Sequence, residues 1–292
     1  MNYNYVLFTD SDTDITPKEC RDYGFELISM PYSIKEECVY PYKDSDTFDF
    51  ESFYKLLEKG AMPFTSALSP GEYIEYFEPF FKQGKDILYA HFSSAMSGTF
   101  NSMRIALEEL KEKYPKCSFY EIDLKGITIN AYISVREIGK LHKSGASLEE
   151  IVAWAEKEVD HQATYFYASD LQFFKRSGRV SGFAAFMGNL IGLHPIINMN
   201  QEGIMGSVDK ARGTNKTLAR IVQYMVDLDD DLANHDVIIG HTGALKEVEV
   251  IKKMINEKFG DKINFVEVWV NPTAGSHCGP NNVGVAFHAK HR

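Results

Sequence analysis

Three short segments hold the residues best suited to chemistry: Thr65-Ser66-Ala67-Leu68-Ser69-Pro70, Ser93-Ser94-Ala95-Met96-Ser97-Gly98-Thr99 and Gly275-Ser276-His277-Cys278-Gly279-Pro280. Each reads as a turn that places small hydroxyl residues, or a histidine among glycines, where a strand pattern ends. Backbone of that kind can come close to an anion. Hydroxyls donate to a carboxylate, and a helix N-terminus behind them adds unpaired N–H groups and a favourable dipole. Thr65, Ser66, Ser93, Ser94 and His277 are therefore candidate ligands for a small acidic headgroup. The plainer alternatives are helix capping for the hydroxyl pairs and a structural hydrogen bond for the histidine. His241, in Gly240-His241-Thr242-Gly243, is a weaker competitor at another strand end.

Serine and histidine also build hydrolase triads, so a small-molecule hydrolase using Ser93 and His277 is the competing function. The chain lacks a GxSxG nucleophile elbow, although other triad orders leave no local signature. It also lacks GxGxxG and GxxxxGK[ST] loops, which removes motif support for a dinucleotide or ATP, and no cofactor is expected. Asp10-Ser11-Asp12-Thr13-Asp14 is acidic, but without the EF-hand glycine and distal glutamate it reads as a polar strand-end turn. Cys20, Cys38, Cys117 and Cys278 are scattered with no CxxC pair. Cys278, His288 and His291 come nearest to a ligand cluster yet lack a fourth member, so no metal is expected.

The elements that must position these residues follow from patterning. Tyr5 to Thr9 and Ile87 to Phe92 read as buried strands, the latter followed by Phe100, Met103, Leu107 and Leu110 at helical spacing. Thr16-Pro17 gives a helix start, and Ser69-Pro70-Gly71-Glu72 and Ser147-Leu148-Glu149-Glu150 are capping boxes. A strand near 118–122 and a helix near 127–142 complete an α/β layered half. A boundary at Gln162 separates residues 1–162 from an α+β unit at 163–292. There, strands near 163–168, 237–240, 265–270 and 283–287 alternate with helices near 216–227 and 245–259. A hairpin is expected around Gln201-Glu202-Gly203. Phe183, Phe186, Met187, Leu190 and Ile191 recur at helical spacing, either as plain core or as the wall of a hydrocarbon pocket. In the second case each buried methylene contributes about 0.8 kcal/mol, so a long acyl chain gains on the order of 10 kcal/mol before association costs.

With 292 residues and 44% apolar content the chain can bury a large core. Its formal net charge of −10 repels nucleic acid. No signal-like N-terminus and no apolar run long enough to span a bilayer are read, so a soluble cytoplasmic protein with reduced thiols and no integral membrane segment is expected.

Taken in order, Thr9-Asp10-Ser11, the Thr65 and Ser93 segments, Arg176-Ser177-Gly178-Arg179-Val180-Ser181 and the His277 segment resemble the motifs of the DegV family of bacterial fatty-acid-binding proteins. The resemblance spans nearly the whole chain. It implies two α/β domains holding a fatty acid between them, its tail in an apolar tunnel and its carboxyl on Thr65, Ser93 and His277. It further implies a lipid-binding carrier with no catalytic cycle of its own, presenting the acid to a separate ATP-using fatty acid kinase that phosphorylates the carboxyl for phospholipid synthesis. Arg176 and Arg179, with the second basic pair Lys210 and Arg212, then become candidate contacts for that partner or its nucleotide; a solvated charged face is the alternative. The chain departs from the family pattern at Ala67-Leu68 for Gln-Pro, Thr128 for serine, His194-Pro195 for Lys-Pro and Asn281-Asn282 after Pro280. Those changes spare the headgroup ligands and bear on acyl preference and kinase contact.

Overall fold

A computed structural model of the chain describes residues 4–181 and 192–292; the apolar stripe at 183–191 lies outside these. The architecture is α/β. A parallel four-stranded sheet runs Phe25–Ile28, Tyr5–Asp10, Asp86–His91, Phe119–Asp123 in spatial order. A mixed seven-stranded sheet runs Asn264–Trp269, Asp236–His241, Val283–His288, Gln162–Tyr167, Leu193–Met199, Met205–Arg212, Val180–Ser181. The strands of the first all precede residue 124, and those of the second begin at Gln162. A small antiparallel sheet of Glu37–Val39, Tyr32–Ile34 and Phe64–Thr65 carries Thr65.

Strand periodicity explains the layering. Ile87 and Tyr89 pack with helices Pro70–Phe81 and Thr99–Lys113 on one face, while Leu88 and Ala90 pack with helix Ile129–Ser144 on the other. In the second sheet, Val237, Ile239, Val285 and Phe287 face helices Thr214–Leu228 and Leu245–Phe259. Their neighbours Ile238 and Ala286 turn back toward helix Ile129–Ser144. That helix is thus packed by both sheets, and its unbroken run of buried residues from Ile129 to Val135 is the sequence trace of burial on all sides. Gly240 makes the close approach possible, because a Cβ there would collide with Ile129.

The capping boxes at Ser69 and Ser147 form as the sequence predicts, and the helix start at Thr16 makes one as well: each hydroxyl accepts from the backbone N–H three residues on, and Glu72, Glu150 and Glu19 reach back. The hairpin forms too, with Leu193–Met199 antiparallel to Met205–Arg212. Among the described residues, three short α-helices have no counterpart in the sequence pattern above, one of them Pro272–Cys278. Phe50–Glu58 starts at a capping Asp49 and buries Phe53, Tyr54 and Leu57, and Leu171–Ser177 is capped by Asp170. Among the described residues, no helix is long and apolar enough to cross a membrane.

Candidate functional site

A cavity of about 180 Å³ lies between the two sheets. Its walls are largely apolar, from Met30, Phe92, Met96, Phe166, Phe174 and Met205, and carry polar side chains as well, among them Thr65, Ser66, Ser97, Arg179, His277 and Asp12.

His277 is where the structure corrects the sequence reading. The segment around it is the last turn of a helix, Pro272–Cys278, and not a glycine turn. Asn271 caps that helix by accepting from Ala274 N–H, and Pro272 sits at its first position, where a missing donor costs nothing. Gly275 serves a packing need inside the helix: a Cβ would strike Tyr54, whose hydroxyl donates to the Val270 carbonyl at 2.8 Å. The cap is held in turn by Asp14, whose Oδ1 accepts from both the backbone N–H and the side-chain amide of Asn271 at 2.8 Å. Arg176 completes the bracing by donating to the carbonyls of Pro63 and Ser276, which ties the Thr65 strand to the His277 helix.

These constraints bring Thr65 Oγ1 to 2.8 Å from His277 Nε2, across 212 positions of sequence. Burial pushes the His277 pKa down to about 4, with the nearby charges of Arg179 and Arg176 adding to the effect. At neutral pH the imidazole is uncharged and acts as a hydrogen-bonding group, while the two guanidiniums supply the positive field an anion needs.

Of the serines named from the sequence, Ser66 lines the cavity and Ser93 and Ser94 do not. Ser93 is fully buried and its hydroxyl donates to the Gly203 carbonyl at 2.8 Å. The Ser94 hydroxyl donates to Asp123 at 2.5 Å. The serine of that segment that faces the cavity is Ser97, which follows a short helical turn, Ser94–Met96. Three serines within five residues look alike by type, and what separates them is the distant Gly203 carbonyl. The arrangement does not support the hydrolase alternative. Ser93 is not hydrogen-bonded to His277, and a histidine with a pKa near 4 is a weak base for activating a hydroxyl.

The basic residues separate into two places. Arg179 lines the cavity and Arg176 is the brace just described, whereas Lys210 and Arg212 lie exposed on the strand Met205–Arg212. The acidic run at 10–14 is the polar strand-end turn that the sequence suggests, a short helical turn at Ser11–Thr13 after strand Tyr5–Asp10, and it is buried. Asp10 accepts from Tyr89, from Phe92 N–H and from Asp12 N–H. Asp12 lines the cavity, 5% exposed, with no hydrogen-bond partner for its Oδ1, and burial beside Asp10 and Asp14 pushes its pKa up. Cys278 belongs to the cavity wall, and His288 is grouped instead with His161 and Asp230.

A family model described as the DegV family of uncharacterised proteins matches residues 4–290. A DegV domain-containing protein of Clostridium perfringens is 32% identical, with 97% of each chain covered. One of Caldanaerobacter subterraneus is 28% identical over 98% of this chain and 99% of its own. Among solved structures, a fatty-acid-binding DegV family protein from Thermus thermophilus aligns with a TM-score of 0.82 at 20% identity, covering 98% of this chain and 99% of that one. A fatty-acid-binding DegV protein from Bacillus subtilis aligns at 0.81 and 23%, covering 99% and 100%. A stearic-acid-binding protein from Eubacterium ventriosum aligns at 0.81 and 21%, covering 98% of both.

Proposed function

The chain belongs to the DegV family, and from that premise we propose that it binds a long-chain fatty acid in the cavity between its sheets. The carboxylate is assigned to Thr65, Ser66, Ser97 and His277, with Arg179 supplying charge, and the acyl chain to the apolar wall. The observation that carries this reading is the Thr65–His277 hydrogen bond on the wall of a largely apolar cavity. It puts polar donors where a headgroup needs them and methylene-binding surface beside them. Solved structures with the same fold that are described as binding fatty acids support it.

The chain then acts as a carrier without chemistry of its own. A separate ATP-using kinase phosphorylates the presented carboxyl in the cytoplasm and passes it toward phospholipid synthesis. The exposed Lys210 and Arg212, together with Arg176 and Arg179 near the headgroup, are assigned to that encounter. Native mass spectrometry of the purified chain tests binding: the expected result is an adduct with the mass of a long-chain acid. A chain that emerges without lipid and takes up none after delipidation overturns the reading. Acyl phosphate formation by an added fatty acid kinase, dependent on this chain, tests the second step, and kinase turnover that is indifferent to the chain contradicts it.

A further inference from the structure

Away from the cavity, three segments meet where Gln162–Tyr167 begins, Val283–His288 ends and the chain leaves helix Thr214–Leu228. Backbone bonds lock them together. Ala289 N–H donates to the His161 carbonyl at 2.8 Å, Lys290 N–H donates to the Leu228 carbonyl at 3.0 Å, and Asp229 bridges Ala289. On this frame one ligand atom each from His161, Asp230 and His288 falls within 4.8 Å of the other two.

The hydrogen bonds around the two imidazoles dictate which nitrogens are available. His161 Nδ1 lies 2.9 Å from the Ala289 carbonyl, which can only accept, so Nδ1 carries the proton and Nε2 the lone pair. His288 is enclosed by acceptors on both sides. Its Nε2 is 3.3 Å from Glu158 Oε2, while Nδ1 is 3.1 Å from the Asp230 carbonyl and 3.6 Å from Asp230 Oδ2. A neutral imidazole has one proton, so one of its nitrogens must point a lone pair at oxygen unless a second cation intervenes. A proton or a metal ion can fill that role. Donation from Nε2–H to Glu158 and from His161 Nδ1–H to a carbonyl is the outer-shell pattern that orients metal-binding histidines.

We propose that His161 Nε2, His288 Nδ1 and the Asp230 carboxylate bind a divalent transition-metal ion of the zinc class, with Glu158 and the Ala289 carbonyl holding the two rings. Two ligands on a tetrahedral zinc stand about 3.4 Å apart, close to the His288 Nδ1 to Asp230 Oδ2 separation. Two imidazoles and one carboxylate suit zinc and its neighbours better than calcium or magnesium, and the fourth position is left to water. His235, whose ring stacks on His288 at 4.1 Å, shields the pair without serving as a ligand.

Zinc titration of the full, tag-free, chelator-treated chain by calorimetry tests this. The expected result is one ion per chain. His161→Gln and Asp230→Asn each weaken it on the order of tenfold or more, and Glu158→Gln weakens it by about tenfold as an outer-shell change. Circular dichroism identifies any variant that unfolds, and for such a variant the visible absorption of the wild-type cobalt complex decides instead: a tetrahedral spectrum supports the site. No zinc binding, an octahedral cobalt spectrum, binding unchanged in both ligand variants, or a His288 that takes up only a proton overturns it.

Discussion

The sharpest prediction separates two serines four residues apart. If the headgroup assignment holds, Ser97→Ala removes a hydroxyl that faces the cavity, and Ser93→Ala removes one that faces protein. A hydrogen bond to a charged group contributes about 1.5–3 kcal/mol, and water can partly replace a cavity hydroxyl, so Ser97→Ala is expected to raise the fatty acid Kd about tenfold. Its effect on stability is expected to be small. Ser93→Ala leaves the buried Gly203 carbonyl without its donor, which costs about 1–3 kcal/mol. That corresponds to a fall in Tm of several degrees at roughly 2–4 °C per kcal/mol for a chain of this order of size. Its Kd is expected to stay within about twofold of wild type. Titration with a fluorescent fatty acid reads the first quantity and calorimetric melting the second. A Ser93→Ala protein that melts normally but loses affinity, beside a Ser97→Ala protein that binds normally, would refute the placement.

Four other outcomes follow from the same contacts. His277→Ala should weaken acid binding by about tenfold or more, since it removes a polar partner and leaves Thr65 without its bond; titration checks it. Arg176→Ala should loosen the Thr65 strand and the His277 helix together, and hydrogen exchange at both segments should rise in step. Burial raises the Asp14 pKa to about 7, so its stabilising contribution is full below about pH 4 and is lost as pH rises toward 7. Asparagine mimics the neutral acid at every pH, so the melting temperature of Asp14→Asn should rise relative to wild type between pH 4 and 7. Because His277 is held near a pKa of 4, a carboxylate arriving beside it should raise that value, and calorimetry in buffers of different ionisation heat should report proton uptake on binding near pH 5.

Much of this architecture could be read from residue order. The Thr16-Pro17 start and the capping boxes at Ser69 and Ser147 marked helix N-termini because such signals are made within four residues. Strand Asp86–His91 was legible as a buried strand from the apolar run that begins at Ile87. What escaped was set by partners far along the chain. Helix Pro272–Cys278 contains a glycine and short polar residues, and it is held by Asp14, Tyr54 and Arg176 more than by its own propensity. Helix Phe50–Glu58 could have been found, since Asp49 caps it and Phe53, Tyr54 and Leu57 lie on one face. The choice of Ser97 over Ser93 could not, because it depends on a carbonyl 110 residues away.

The central claim is that a fatty acid rests with its carboxylate at Thr65, Ser97 and His277. A crystal of the chain grown with 2-bromopalmitate tests it directly, since the bromine marks the carbon beside the carboxyl by anomalous scattering. The account predicts the bromine peak next to those three side chains. A peak at the opposite, apolar end of the cavity, or none inside it, would contradict the account.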